Sequence, residues 1–268
     1  MLRFSANLCT LFAERPPAER FRAASSAGFH AVELQCPYGV GVAPLGQLLQ
    51  DNGLRLVLVN LPTGDLLEGG DGLAGVPGRE AAFRAAVQLT ARYVEALGVP
   101  TVNVRAGRKP QGVARAEAEA TLAMNLEYAA ATFRDAGAAT LLEAVNLFDQ
   151  SRSLVSSLND MRRLCAAVPR LKMLFNCYHM DRMSSTMLDD LEASLDQVGH
   201  VQFADHPGRQ EPGTGRIDYG SVFSLLRESA YQGWCGADYQ PSRPTEDTLD
   251  WWRRPPRARE RRPLRALS

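Results

Sequence analysis

Short apolar runs that end on a polar residue recur along the chain. Between them lie longer stretches whose apolar positions repeat every three or four residues. The first pattern predicts buried strands and the second predicts helices packed on one face. Strands are expected at residues 2–7, 31–34, 54–60, 101–104, 140–143, 171–176, 200–204 and 233–239. The run Leu54-Arg55-Leu56-Val57-Leu58-Val59-Asn60 is the clearest, a nearly continuous apolar segment of the kind buried on both faces in a parallel sheet. Helices are expected at about 18–27, 45–51, 79–97, 115–136, 154–168, 187–198, 221–231 and 245–253, several of them stopped by glycine or proline.

The alternation is unbroken and contains no interdomain linker. Eight strand–helix pairs in about 250 residues are the pattern of a (β/α)8 TIM barrel, here a single α/β domain over residues 1–252. The rival, an open doubly wound sheet, is favoured by a GxGxxG after the first strand, and the chain has none there. Two long loops stand out: residues 61–78, and the Pro-, Gly- and charge-rich stretch that separates Ala204 from Tyr219. Loops of that length are uncommon unless they serve a site. Residues 253–268, RRPPRARERRPLRALS, fall outside the pattern and are expected to be a disordered, solvated tail.

Composition narrows the partners. The chain of 268 residues is 45% hydrophobic and 22% charged, with a formal net charge of zero, so neither nucleic acid nor an acidic membrane surface is the expected partner. No apolar run approaches the roughly 20 residues that span a bilayer, and the opening MLRFSANLCTLF makes a poor signal peptide. The five cysteines are scattered and form no CxxC, which fits a reducing compartment, hence the cytoplasm, and argues against a disulfide framework or a zinc ribbon. No stretch speaks to oligomeric state.

In a barrel of this kind chemistry sits at the C-terminal ends of the strands. Four consecutive predicted strands carry an oxygen-bearing side chain at or near that end: Glu143, Asn176, Gln202 and Asp238. Together they suit Mg²⁺ or Mn²⁺ rather than a soft metal. Taken singly, each has a plainer reading: a surface carboxylate or helix cap, a satisfied core amide, or, for Asn176, the start of a turn. His179 is a candidate for substrate contact or for holding a metal ligand in place. His206 and Arg209 lie in the long loop after the seventh strand, and an Arg fork there suits a substrate carboxylate; Arg105 is a second candidate. His30, His200 and Cys177 read as structural. There is no GxSxG and no P-loop.

Several motifs appear together and in order: RFSANL at the start, Asn60-Leu61-Pro62-Thr63-Gly64-Asp65, VPGRE from Val76, Ala106-Gly107, LLEAVN from Leu141, then HVQFAD followed by PGR and EPGTG, and finally a GW.G..Y.P pattern ending at Pro241. With these the chain resembles the hydroxypyruvate isomerases and the similar 2-oxo-tetronate isomerases of the xylose-isomerase-like barrels, over nearly all of residues 2–252. The resemblance implies a small 2-oxo acid as substrate, a divalent metal and no organic cofactor. It implies Glu143 and Asp238 as the catalytic carboxylates, which with Asn176 and Gln202 are also the metal ligands. His179 and Arg209 match the family's histidine and its PGR arginine. The expected reaction moves a proton between adjacent carbons of hydroxypyruvate, through an enediolate, to give tartronate semialdehyde. Two positions depart from the family: Asn176 stands where it has an aspartate, and Asp238 where it has a glutamate. Gln210, Arg216 and Ala230 are smaller departures. Two alternatives stand beside the hydroxypyruvate reading: a 2-oxo-tetronate isomerase, which differs in the chain length of the acid accepted, and, from the departures at Asn176 and Asp238, a degenerate barrel that binds without turnover.

Overall fold

The computed structural model describes residues 1–253, so residues 254–268 of the expected tail lie outside the described residues. Eight parallel strands close into a barrel in strict sequence order, with β8 pairing back to β1. They are β1 Arg3–Asn7, β2 Ala31–Leu34, β3 Arg55–Asn60, β4 Thr101–Arg105, β5 Ala139–Glu143, β6 Lys172–Asn176, β7 Val198–Phe203 and β8 Trp234–Ala237. The helices are α1 Pro17–Ser26, α2 Val42–Asp51, α3 Glu80–Leu97, α4 Arg115–Asp135, α5 Leu158–Ala167, α6 Cys177–Met183, α7 Met187–Glu192, α8 Tyr219–Glu228 and α9 Asp250–Arg253. The expected TIM barrel is therefore present as a single domain.

Local sequence explains the long helices. In α3 the buried Phe83, Ala86, Val87, Thr90, Ala91 and Val94 fall on one stripe at three- and four-residue spacing. Ser157 caps α5, its Oγ accepting from the Asp160 N–H at 3.2 Å, and Asp218 caps α8 by accepting from the Ser221 N–H at 3.1 Å. Trp251 of α9 packs edge-on against Phe4 and Phe203, with ring centroids 5.2 and 4.9 Å apart. Among the described residues no helix is long and apolar enough to cross a membrane.

Two expectations about helices need correction. The segment after β6 is not a loop leading to one helix over 187–198. It turns at once into α6, and the next helix, α7, is short. The cause is Asn176, whose Oδ1 accepts from the His179 N–H at 3.3 Å and so starts α6 directly at the end of the strand. The last expected helix divides into a 3-10 turn, Thr245–Thr248, and α9.

Strand alternation sorts the barrel interior into layers. At the mouth stand Asn7, Asn60, Asn103, Glu143, Asn176 and Gln202, with Asp238 just past the end of β8. One step below, the interior is divided. Leu58, Leu141 and Leu174 form a separate apolar cluster on one side. On the other, Glu33 is fully buried and accepts from Ser5 Oγ at 2.6 Å and Gln202 Nε2 at 2.7 Å, with His200 Nε2 also 2.7 Å away. Gly236 makes room for this group, since a Cβ there would meet Glu33 Oε1 at 1.9 Å.

Candidate active site at the barrel mouth

A cavity of about 360 Å³ opens at the C-terminal ends of the strands. Glu143, His179, Gln202, Arg209 and Asp238, all singled out from the sequence, line it together with Arg105. Asn176 lies just beneath, in contact with three of them. His206 is not part of the lining. Its Nδ1 sits 2.9 Å from Asp181, which also accepts from Arg216 Nε at 2.8 Å, so the arginine that departs from the family pattern has a local partner. Cys177 is fully buried in the core, and burial pushes its thiol up to about 12.

The long loop after β7 is built around one carboxylate. Asp205 is fully buried, and its two oxygens accept backbone N–H groups from His206, Gly213, Gly215 and Ile217 at 2.8–3.0 Å. Four N–H groups that would otherwise be orphaned are thereby satisfied. This turn delivers Arg209 with a left-handed backbone, φ +55°, an uncommon conformation for a side-chain-bearing residue. Its guanidinium Nη2 donates to Asp238 Oδ2 at 2.6 Å, and the ring of Tyr178 lies 5.2 Å from its centre. Arg209 is thus engaged with a carboxylate of the protein.

The two carboxylates sit in different surroundings. Asp238 accepts from a cation, Arg209, and from Asn7 Nδ2 at 2.8 Å. Among the described residues Glu143 accepts only from amides, Asn103 Nδ2 at 3.1 Å and Asn176 Nδ2 at 3.2 Å. Burial raises the Glu143 carboxyl above its ordinary 4.5; Arg105 opposes the rise and Asp238 adds to it.

His179 is held as a hydrogen-bond donor. Asn146 Oδ1 accepts from the N–H groups of Phe148 and Asp149, at 3.1 and 2.9 Å, so its Nδ2 is the group that faces His179 Nδ1 at 2.6 Å. These bonds assign the proton to Nε2, which faces Glu143 Oε1 at 3.7 Å. Burial, with the charges of Arg209, Arg105 and Arg182, pushes the imidazole well below its usual 6.5, so the ring is neutral. In this tautomer it offers an N–H to a ligand and no lone pair to a metal.

The donor atoms can be tested against a hard cation. Glu143 Oε1, Gln202 Oε1 and Asp238 Oδ2 lie 3.2, 3.2 and 3.4 Å from one atom, Asn176 Nδ2. Oxygens converging on one point suit Mg²⁺ or Mn²⁺ after contraction to about 2.1 Å. Gln202 is pre-set for this, because Glu33 holds its Nε2 and turns its Oε1 to the centre. The amide of Asn176 must turn over to offer its oxygen, at the expense of the α6 cap, about 1 kcal/mol. The set fits an oxygen-ligated divalent cation, but with only two negative charges. Among the described residues no three His, Cys, Asp or Glu side chains are grouped so as to hold a metal ion.

Several residues of the site were not singled out from sequence. Asn7, Asn60 and Asn103 end or nearly end their strands just as Asn176 does. Glu33 and Asp205 each organise a neighbour of the cavity from a fully buried position.

Comparison with known proteins agrees with the fold. The family model described as xylose isomerase-like TIM barrel matches residues 21–254. The hydroxypyruvate isomerase of Escherichia coli is 39% identical over 253 residues, 94% of this chain and 98% of that protein. The 2-oxo-tetronate isomerase of Cupriavidus necator is 35% identical, over 94% of this chain and 97% of its own. Among solved structures, one titled AP endonuclease, family 2, from Brucella melitensis superposes with a TM-score of 0.91 at 33% identity, covering 96% of this chain and all of the other. By fold, by full-length identity and by the match of its sequence, the chain belongs to the xylose isomerase-like TIM barrel family.

Proposed function

We propose that the protein is an isomerase of a short 2-oxo acid, with hydroxypyruvate the first candidate and 2-oxo-tetronate the alternative. The observation that carries this reading is the pair Glu143 and Asp238, which face one small cavity from β5 and from the end of β8 with a neutral His179 beside them. The reaction needs no oxidant. A C–H bond breaks at the hydroxymethyl carbon, an enediol forms, a C–H bond forms at the former carbonyl carbon, and the hydroxyl proton passes from one oxygen to the other.

Glu143 takes the carbon proton, because burial raises its carboxyl and its hydrogen bonds come from neutral amides, whereas Asp238 is engaged by the Arg209 guanidinium. His179 Nε2–H donates to the oxygen on which negative charge develops. Asp238 delivers a proton drawn from solvent to the adjacent carbon once its contact with Arg209 opens, and Glu143 releases the proton it took to solvent, so the proton count closes over one turnover. A divalent cation held by Glu143, Gln202, Asp238 and the turned amide of Asn176 would supply positive charge for that oxygen.

The test is to incubate the protein with Mg²⁺ or Mn²⁺ and each acid, following product formation and, in D₂O, exchange of the carbon-bound hydrogen. Turnover of hydroxypyruvate supports the first candidate, and turnover of 2-oxo-tetronate alone supports the second. Binding without exchange of any hydrogen sinks both and leaves a non-catalytic acid-binding barrel, which the Asn176 amide at the centre of the donor oxygens would then explain.

A further inference from the structure

Three arginines line the cavity, and among the described residues only Arg209 is ion-paired with a carboxylate at contact distance. Arg209 is paired with Asp238 at 2.6 Å. Arg105 and Arg108, on the segment that leaves β4, line the same cavity and form no ion pair among the described residues. Both are half-buried. A guanidinium in a part-buried cavity with no carboxylate in contact is a ready anion receptor.

The surroundings hold these two cations in place without using their charge. Gln150 is fixed by its Nε2, which donates to the Gly107 carbonyl and to Ser153 Oγ, both at 3.2 Å. Its Oε1 therefore accepts from Arg105 Nη2 at 3.2 Å, while Arg105 Nε is buried with no partner among the described residues. Arg108 anchors one edge, Nη1, to the carbonyls of Leu66 and Gly70. The chain can lie this close to the 61–78 loop only because residue 107 is glycine, since a Cβ there would meet the Asp71 carbonyl at 2.4 Å. Arg105 is also in register beside Glu143 on the neighbouring strand. An acid held at the β4 side would therefore extend past Glu143 towards Asp238.

We propose that Arg105 and Arg108 form the carboxylate subsite of this cavity, and that Arg209 serves Asp238 instead. The proposal deepens the 2-oxo acid reading and rests on it for the identity of the substrate. It is tested on the full chain with pyruvate, a 2-oxo acid that lacks the hydroxyl needed for isomerisation, and with dihydroxyacetone as an uncharged control. Ligand-observed NMR titration gives both affinities.

Arg105→Gln and Arg108→Gln are each expected to weaken pyruvate binding by about ten- to a hundredfold, the scale of a lost charge-assisted hydrogen bond. Dihydroxyacetone binding should change by less than about threefold, since it has no carboxylate to lose. Arg108→Lys should recover most of the loss. Among the described residues the Arg108 guanidinium donates only to loop carbonyls, so its variants remain informative if Arg105→Gln does not fold.

Pyruvate affinity retained in both Gln variants but lost in Arg209→Gln would overturn the subsite, as would a wild-type protein that does not bind pyruvate. The two readings fail separately. Unchanged KM for hydroxypyruvate in both Gln variants, with turnover intact, removes the subsite and leaves the isomerase. Pyruvate binding that depends on Arg108, with no turnover of either acid by the wild type, removes the isomerase and leaves the subsite.

Discussion

Asn176→Asp is the substitution that probes the centre of the site most directly. The Asn176 amide nitrogen donates to Glu143 Oε1 at 3.2 Å and to Asp238 Oδ2 at 3.4 Å. In the metal-free protein a carboxylate at 176 replaces both attractions by repulsions, each about 4 kcal/mol for unit charges near 4 Å at an effective dielectric of about 20. The protein limits that cost by binding a proton, and protonating an ordinary carboxyl at pH 7 costs about 4 kcal/mol. The metal-free variant should therefore be less stable by about 4 kcal/mol, a drop in Tm of roughly 8–15 °C for a chain of this size.

A divalent cation reverses the sign. Its gross attraction to the new carboxylate is about 8 kcal/mol on the same scale, from which the expelled proton takes about half and dehydration takes more. A net tightening of at least 30-fold, about 2 kcal/mol, is expected for Mg²⁺ or Mn²⁺. Isothermal titration in buffers of different ionisation enthalpy reads both the affinity and the proton released, and calorimetric melts with and without metal read the stability. Unchanged metal affinity, or a metal-free variant as stable as the wild type, would refute the placement of residue 176 among the donor oxygens.

Three further outcomes follow from the same structure. Asp205→Ala leaves four backbone N–H groups without their acceptor and should destabilise the protein by about 3 kcal/mol or more; denaturant melts check this, and a loss below about 1 kcal/mol would mean that the loop is held by something else. Because burial raises the Glu143 carboxyl in the folded state, its charged form is penalised there, so metal-free Glu143→Gln should be more stable than the wild type at neutral pH; the advantage should shrink as pH falls through the raised value, where the wild type takes up its proton, and a pH-independent difference would contradict the assignment. Thiol labelling of the native protein should modify exposed Cys9 and Cys36 and leave Cys177 and Cys235 intact until unfolding, since burial pushes Cys177 up to about 12 and Cys235 higher still.

The polar ends of the strands were legible because a lone Glu, Gln or Asn after an apolar run has no place in a buried sheet unless it faces a site. That rule holds equally for Asn7, Asn60 and Asn103, which carry no charge and attract less attention, although Asn60 and Asn103 line the cavity and Asn7 donates to Asp238. Glu33 was invisible for a different reason. In Ala31-Val32-Glu33-Leu34 a glutamate reads as the solvent side of a strand, and only closure of the barrel puts it opposite His200, 167 residues away. The pairing of Arg209 with Asp238 is likewise a fact of tertiary structure, made by a turn that Asp205 ties down. Helix α6 escaped because Cys177, Tyr178, His179 and Met180 are all buried, so the segment shows no amphipathic period.

The departures at Asn176 and Asp238 make sense together once the cavity's charges are counted. With a glutamate at 238 the carboxylate would reach about 1 Å further. The shorter aspartate sits back, where Arg209 reaches it at 2.6 Å and Asn7 at 2.8 Å. The amide at 176 then fills the space among the remaining oxygens without adding charge. Asp149, the other acid on the wall, is taken by Arg182 at 2.6 Å. What remains is Glu143 and Asp238 facing Arg105, Arg108 and Arg209, one positive charge in excess. A monoanionic acid bound at Arg105 and Arg108 cancels that excess, whereas a neutral sugar leaves it standing. On the proposed subsite, this charge pattern would favour an acid over a neutral sugar before any contact with the reacting carbons is made, and a divalent cation bound at its centre would strengthen that preference.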